Sequence, residues 1–373
     1  MSNRRATTHP CLVVCPPGLE SVVSDELADL GIRTLRSSKG AVSADMTTRQ
    51  LYAANVFLRC ATRILVRVAG FTVRTFADLE RRIAEVDWDD WIGAGDSPRF
   101  RVTSRNSELW HDGAVTQRFE AALGTPVEGA REQLVVVRAV NDRFTVSVDS
   151  SGAPLHERGW RQAIAKAPLR ESVAAGLLVA AGWDPTTPLV DPMCGSGTIA
   201  IEAALLAGGV APAAGRELAF RFWPGFEPGT WASLAAEIQK RRTDAGDPPP
   251  IMAVDRDAGA VDSARANAER AGVADLIEWR TAPIAELARP DGTDGRPGLL
   301  VANPPWGGRL AAGDLRNLYA TLGRVASEGF AGWSLGVLVA DRTLARQVRP
   351  GLTEALQLEL GGRQAWYLTG RLR

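Results

Sequence analysis

The chain has 373 residues, 45% apolar and 23% charged, with 43 basic and 43 acidic side chains and therefore no net charge at neutral pH. That length accommodates two or three cores, and the zero balance argues against indiscriminate polyanion binding while leaving room for a local basic face. No apolar run reaches the roughly 20 residues a membrane span needs, and no apolar signal core follows the first arginines, so the expected location is cytoplasmic.

Residues 1–70 read as β-α-β-β-α-β. "CLVVC" is a strand, "GLESVVSDELADLG" a helix closed by Gly31, and "RTLRS" with "GAVSADM" a hairpin pair. A Thr-capped helix "TTRQLYAANVFL" and the strand "ATRILVRVAGFTV" complete the segment. His9, Cys11 and Cys15 have a passing resemblance to a metal site, but the cysteines bracket an apolar strand and no second ligand pair follows, so the expectation is buried thiols and no metal.

Residues 71–152 repeat the α+β flavour: a helix over "FADLERRIAEVDW", a strand "RFRVTSRN", a helix "DGAVTQRFEAALG", and a hairpin turning at Asn141–Asp142. Arg99, Arg101 and Arg105 alternate along one strand, which fits a solvated sheet face.

From residue 156 strands alternate with helices, the first starting near Pro168, which predicts a mostly parallel sheet covered on both faces. The end, "ALQLELGGRQAWYLTGRLR", predicts an antiparallel hairpin around Gly361–Gly362. The aromatic-rich stretch within 208–250 fits either a lid or substrate platform, or a cluster packed on that sheet.

Three segments carry chemistry. In "PLVDPMCGSGTIAIEAALLA" a strand ends at Asp191, Gly195 and Gly197 permit a sharp turn and close ligand approach, and a helix opens near Thr198. The letters also satisfy the dinucleotide pattern G-x-G-x-x-A. However, a carboxylate at the strand tip repels a pyrophosphate and suits a cationic amino-acid moiety. Asp255 ends the next strand, where an acid accepts hydrogen bonds from ribose hydroxyls; Asp257 fits a helix cap. In "LLVANPPWGGRL" two prolines stop a strand whose tip is Asn303. The Asn303 side-chain oxygen and the Pro304 carbonyl, held by Pro305, can each accept one N–H of an exocyclic amine and aim it at a methyl sulfonium. Trp306 supplies a stacking face for the base.

With "DPMCGSGTIAIEAALLA", "NPPWGGRL" and "LHERGWRQAIAKAPLRESVAAGLL" together, the chain resembles the THUMP-containing class I S-adenosylmethionine-dependent RNA methyltransferases. Bacterial large-subunit rRNA guanine-N2 enzymes are the nearest likeness. The resemblance implies a Rossmann-like methyltransferase domain over 156–373, preceded by a ferredoxin-like domain (1–70) and a THUMP RNA-binding domain (71–152). It assigns Asp191, Met193, Cys194, Gly195, Gly197 and Thr198 to the methionine-moiety loop, Asp255 to the ribose, and Asn303, Pro304, Pro305 and Trp306 to catalysis. It implies S-adenosylmethionine as cofactor and structured RNA, rRNA before tRNA, as partner. The "PLRES" helix would lean on the cofactor, and Arg309 would meet phosphate or base. Departures are Trp306 for the family's tyrosine or phenylalanine, and Ala282–Pro283 where relatives place an acid near the adenine amine. Other readings are N6-adenine or N4-cytosine DNA methylation, an RNA-binding assembly factor with a dormant site, and a nicotinamide-dependent oxidoreductase.

Overall fold

The computed structural model describes residues 8–162, 169–293, 295–306, 312–349 and 351–373. They divide into two compact units. The first takes residues up to Cys15 with Ser24–Leu155 and Gly215–Ala235; the second takes Pro16–Val23, His156–Ala214 and Ala236–Arg373.

The first unit is built from β1 (Thr8–Val14), α1 (Glu20–Asp29), β2 (Thr34–Ser38), β3 (Ala41–Thr47), α2 (Thr48–Phe57), β4 (Arg63–Thr72), α3 (Phe76–Ala84), β5 (Ser97–Arg105), α4 (Asp112–Leu123), β6 (Glu132–Val140) and β7 (Arg143–Asp149). The first four residues of α1 count with the second unit. Its strands form one sheet, ordered β2-β3-β1-β4-β7-β6-β5. The boundary read from sequence at residue 70 falls inside β4, which pairs with β1 on one side and β7 on the other. The two α+β segments therefore share a continuous sheet. Along β6 every second residue is buried, so Val135, Val137 and Ala139 meet Leu79 and Ile83 of α3 and Val115 and Phe119 of α4. The intervening residues face the other way, the consequence of a two-residue period. At the β6–β7 turn, Asn141 and Asp142 adopt φ of 51° and 62°, the tight hairpin geometry the sequence predicted. α2 begins with a reciprocal cap: Thr47 Oγ1 accepts from the Gln50 N–H and the Gln50 side chain accepts from the Thr47 N–H.

The second unit continues with α5 (Glu171–Ala180), β8 (Leu189–Asp191), α6 (Thr198–Ala207), α7 (Pro228–Asp244), β9 (Ile251–Asp255), α8 (Ala258–Ala271), β10 (Ile277–Thr281), β11 (Leu299–Ala302), α9 (Ala312–Gly329), β12 (Ser334–Val339), α10 (Arg342–Val348), β13 (Thr353–Leu360) and β14 (Arg363–Arg371). The first eight residues of α7 count with the first unit. The sheet order is β10-β9-β8-β11-β12-β14-β13. The first five strands are parallel, and β14 runs antiparallel to both neighbours. The parallel strands other than the edge strand β10 are short apolar runs because both faces are covered. Val190, Met252, Val254, Leu300, Ala302, Leu335 and Val337 pack under Leu315, Tyr319 and Leu322 of α9 and Val348 of α10. The helix expected near Pro168 begins at Glu171 in the described residues; Pro168 lies outside them.

The aromatics of the 208–250 stretch pack in the first unit and not on the parallel sheet. Residues 215–235 belong to the first unit. Phe220 stacks on Tyr52 at 4.1 Å, and Trp223 Nε1 donates to Gln133 Oε1 at 2.8 Å. The Glu227 N–H donates to the Tyr52 hydroxyl at 3.0 Å.

Candidate active site

Strand order in the second sheet reverses at β8, the first strand of this sheet, which lies between β9 and β11. In such sheets ligands bind beyond the carboxyl ends at that switch point. Register makes this concrete. Asp191, the last residue of β8, is opposite Ala253, and Val190 is opposite Leu300. β9 thus overshoots β8 by two residues and ends at Asp255, while β11 ends at Ala302, immediately before Asn303. The two polar tips flank the glycine loop, one strand spacing, about 5 Å, to either side.

The loop is tied down from within. The Met193 N–H donates to Asp191 Oδ1 at 3.3 Å, and the Cys194 N–H donates to the Val254 carbonyl at 2.9 Å. The Gly195 N–H donates to Asp255 Oδ2 at 3.0 Å, and the Asp257 N–H to Asp255 Oδ1 at 3.0 Å. Each Asp255 oxygen has spent one lone pair and keeps room for another donor. Asp257 also caps α8 by accepting from the Gly259 N–H at 2.9 Å, as its position predicted.

The two glycines do different work. Gly195 has φ +52°, and a Cβ added there meets nothing within 4 Å, so the loop opens onto free space. Gly197 has φ +79°, and its Cβ would come within 2.9 Å of the Ala264 methyl on α8. It is therefore required both for the turn and for helix packing. No side chain caps the N-terminus of α6.

Asp191 is 1% exposed. Burial, opposed by the Met193 N–H and reinforced by the nearby Asp255 charge, pushes its carboxyl up to about 8. A buried carboxyl with one long hydrogen bond is what a cationic ligand would complete. Cys194 is likewise buried, and desolvation raises its thiol, so it acts as a small anchor and not as a nucleophile. Met193 packs its side chain against the core under α9. Asn303 is half-buried, Pro304 buried, Pro305 exposed and Trp306 half-buried, with the indole Nε1 buried and unpartnered. Arg309 lies outside the described residues.

Thr198 opens α6 at the end of the glycine loop. Its hydroxyl accepts from Arg161 Nη2 at 3.0 Å and lies 3.3 Å from Ser196 Oγ, so it is part of an internal network. That network was not visible in the sequence. Arg161 pairs with Glu171 at the start of α5 (3.3 Å), whose carboxyl burial holds above the usual range, and donates to the Leu169 carbonyl at 2.6 Å. Arg158 pairs with Glu202 inside α6 at 3.2 Å, both buried. Asn267 of α8, fully buried, donates to the Ser196 carbonyl at 3.1 Å, accepts from the Gln162 N–H at 3.3 Å and accepts from Arg270. The segment 158–162 thus straps the glycine loop to α5, α6 and α8. The sequence signal was a polar residue, Glu202 or Asn267, in a helix position that packing makes internal.

After β10 the corner is apolar: Ala282 packs on the core and its N–H donates to the Asp255 carbonyl at 3.0 Å. A groove lined by Arg265, Glu269, Asp275 and Trp279 opens where β10 begins, at the opposite end of the sheet from the candidate site. Cys11 and Cys15 are buried, and desolvation pushes the Cys11 thiol up to about 12. Among the described residues no group of three or more potential ligands is placed to hold a metal, and no helix is long and apolar enough to cross a membrane.

The large-subunit rRNA methyltransferase K/L of Marinobacter nauticus is 33% identical over 349 residues, covering 88% of this chain and 48% of the relative. The chain thus spans about half the length of that curated relative. The protein slr0064 of Synechocystis sp., by name a candidate RNA methyltransferase, is 29% identical over 92% of this chain and 91% of its own length. SMU.472, a candidate methyltransferase solved in complex with SAH, superposes with a TM-score of 0.86 over 99% of both chains at 24% identity, which shows a shared fold. Residues 11–65 match the RlmL ferredoxin-like domain. Residues 158–362 match the family of RMKL-like methyltransferase domains, and the chain belongs to that family.

Proposed function

We propose that this chain is an S-adenosylmethionine-dependent RNA methyltransferase that modifies the exocyclic N2 amine of a guanosine in large-subunit rRNA. The observation that carries the reading is the register-aligned corner, where Asp191, Asp255 and Asn303 converge on a glycine loop that opens onto free space. The donor, when bound, supplies an electrophilic methyl carbon on a sulfonium. The residues present fit it. The buried Asp191 carboxyl suits the cationic amino-acid end, and the spare lone pairs of Asp255 suit two ribose hydroxyls. The apolar corner at Ala282 offers the adenine a wall and no side-chain acceptor.

Asn303 and the Pro304 carbonyl each take one N–H of the target amine and turn its lone pair out of conjugation, toward the methyl carbon. Trp306 holds the base by stacking. Catalysis on this account is mostly positioning. Residues 71–152 are proposed as a THUMP RNA-binding domain beside the ferredoxin-like one, with rRNA as partner. The name of the Marinobacter nauticus relative supports rRNA, and the target base would be flipped into the corner.

Two measurements test the reading. Nucleoside mass spectrometry of rRNA from a strain lacking the protein should show loss of N2-methylguanosine; loss from tRNA alone, or loss of a methyladenine from DNA, overturns the substrate. Asn303→Ala should lower turnover by about a thousandfold, roughly 4 kcal/mol of barrier, with donor affinity measured by calorimetry unchanged. Undiminished turnover overturns the catalytic assignment.

A further inference from the structure

The sheet of the first unit turns Val135, Val137, Phe144 and Val146 toward α3 and α4; its other face is exposed toward β5 and the β6–β7 turn, while Leu65, Ser147 and Asp149 on it are buried. Register arranges that open face in rows. Arg67 of β4 is opposite Ser147, Ser147 opposite Val136, and Val136 opposite Arg101. The next row runs Gly70, Thr145, Arg138, Thr103, and the last Thr72, Arg143, Val140, Arg105. Arg67, Arg101, Arg105, Arg138 and Arg143 are all exposed.

The charge on this face is one-sided. Of the two acids at open-face positions of β4–β7, Asp149 is held by Arg63 and Glu132 by Arg99 at 3.1 Å. No ion pair among the described residues engages the other five arginines. Rows two residues apart are about 6.7 Å from one another, and the four strands span about 14 Å. In a chain with no net charge, five uncompensated guanidinium groups on a patch that size form a local positive field. Guanidinium forks match phosphate oxygens. The residues between them are Val136, Val140, Thr103, Thr145 and Ser147, with no aromatic ring, so the face has nothing on which to stack a base. Its chemistry suits the backbone of a double-helical segment and not a splayed single strand.

We infer that the open face of β4–β7 is a docking surface for the phosphate backbone of duplex RNA, with Arg67, Arg101, Arg105, Arg138 and Arg143 as its contacts. The choice of RNA rests on the proposed function. The test is binding of the full chain to a labelled RNA hairpin across a potassium chloride series. The variant R101Q/R105Q/R138Q/R143Q should lose at least tenfold in affinity near 100 mM salt, and its log–log salt slope should become shallower by about 3.6, since each neutralised phosphate contributes about 0.9. The matching four-lysine variant should restore most of the slope, and R81Q/R82Q on α3 should leave it unchanged. A glutamine variant with the parent's slope and affinity overturns the inference. Tighter binding of duplex DNA of the same sequence overturns RNA as the occupant. Donor binding, followed separately by calorimetry, tells the two failures apart. Intact donor binding with arginine-independent RNA binding removes this surface alone, whereas RNA binding through the arginines without donor binding removes the proposed activity.

Discussion

Among the described residues each unit buries one aspartate completely, and the two are handled in opposite ways. Asp149 in the first unit is 0% exposed. It accepts from Arg63 and from the N–H groups of Ser151 and Gly152 at 3.0 Å each, and burial pushes its carboxyl up only to about 6. Asp191 in the second unit has one 3.3 Å bond from Met193, with Asp255 nearby adding repulsion, and rises to about 8. A carboxylate that takes three hydrogen bonds, one of them from an arginine, is part of the framework. One with a single long bond at the end of a central strand has room for a further donor, which suits the cation proposed for it.

That contrast can be broken most forcefully in the first unit. Arg63→Leu strips the charge partner from Asp149 and should cost about 3–5 kcal/mol of stability, the usual penalty for stranding a buried charge. Urea unfolding reads it, and a loss under 1 kcal/mol would show that Asp149 is no framework ion. Gly197→Ala should cost about 2–3 kcal/mol, from the left-handed backbone and the contact with Ala264, and should weaken donor binding as well.

The smallest effect sharpens the comparison by its sign. Between the unfolded carboxyl value near 3.9 and the folded value of about 8, the folded chain holds a proton at Asp191 that the unfolded chain has released. Donor-free stability therefore falls as pH rises through that window. Asp191→Asn should remove this contribution, leaving the variant more stable than the parent at pH 8, by about 1–2 kcal/mol, with the gain gone near pH 4. Thermal melts at the two pH values check it, and the same variant should bind the donor less tightly. Equal melting temperatures at pH 8 would mean that Asp191 is satisfied in some other way.

The features that were legible in the sequence are local ones. The strand end at Asp255, the positive φ of Gly195 and Gly197 and the strand that stops before Asn303 and its two prolines each leave a mark within a few residues. The alternation in β6 and the Asn141–Asp142 turn did the same for the fold. The strap was hidden because its pairs join distant segments: Arg161 with Glu171 and Thr198, and Asn267 with Ser196. The bond from Arg161 to the Thr198 hydroxyl was hidden for the same reason, since a hydroxyl at a helix start looks the same in the sequence whatever partner it has. The aromatic stretch was legible as aromatic, but nothing nearby in the sequence names Tyr52 as the ring under Phe220.

That last contact governs how the molecule can be dissected. Because residues 215–235 return to complete the first unit, the polypeptide crosses between the units repeatedly and not once. A fragment ending near residue 155 keeps every strand of the first sheet yet leaves Tyr52 and Gln133 without Phe220 and Trp223. Such a fragment would expose an aromatic surface and aggregate. The two halves are thus not interchangeable modules, and an exchange between relatives must carry both stretches together.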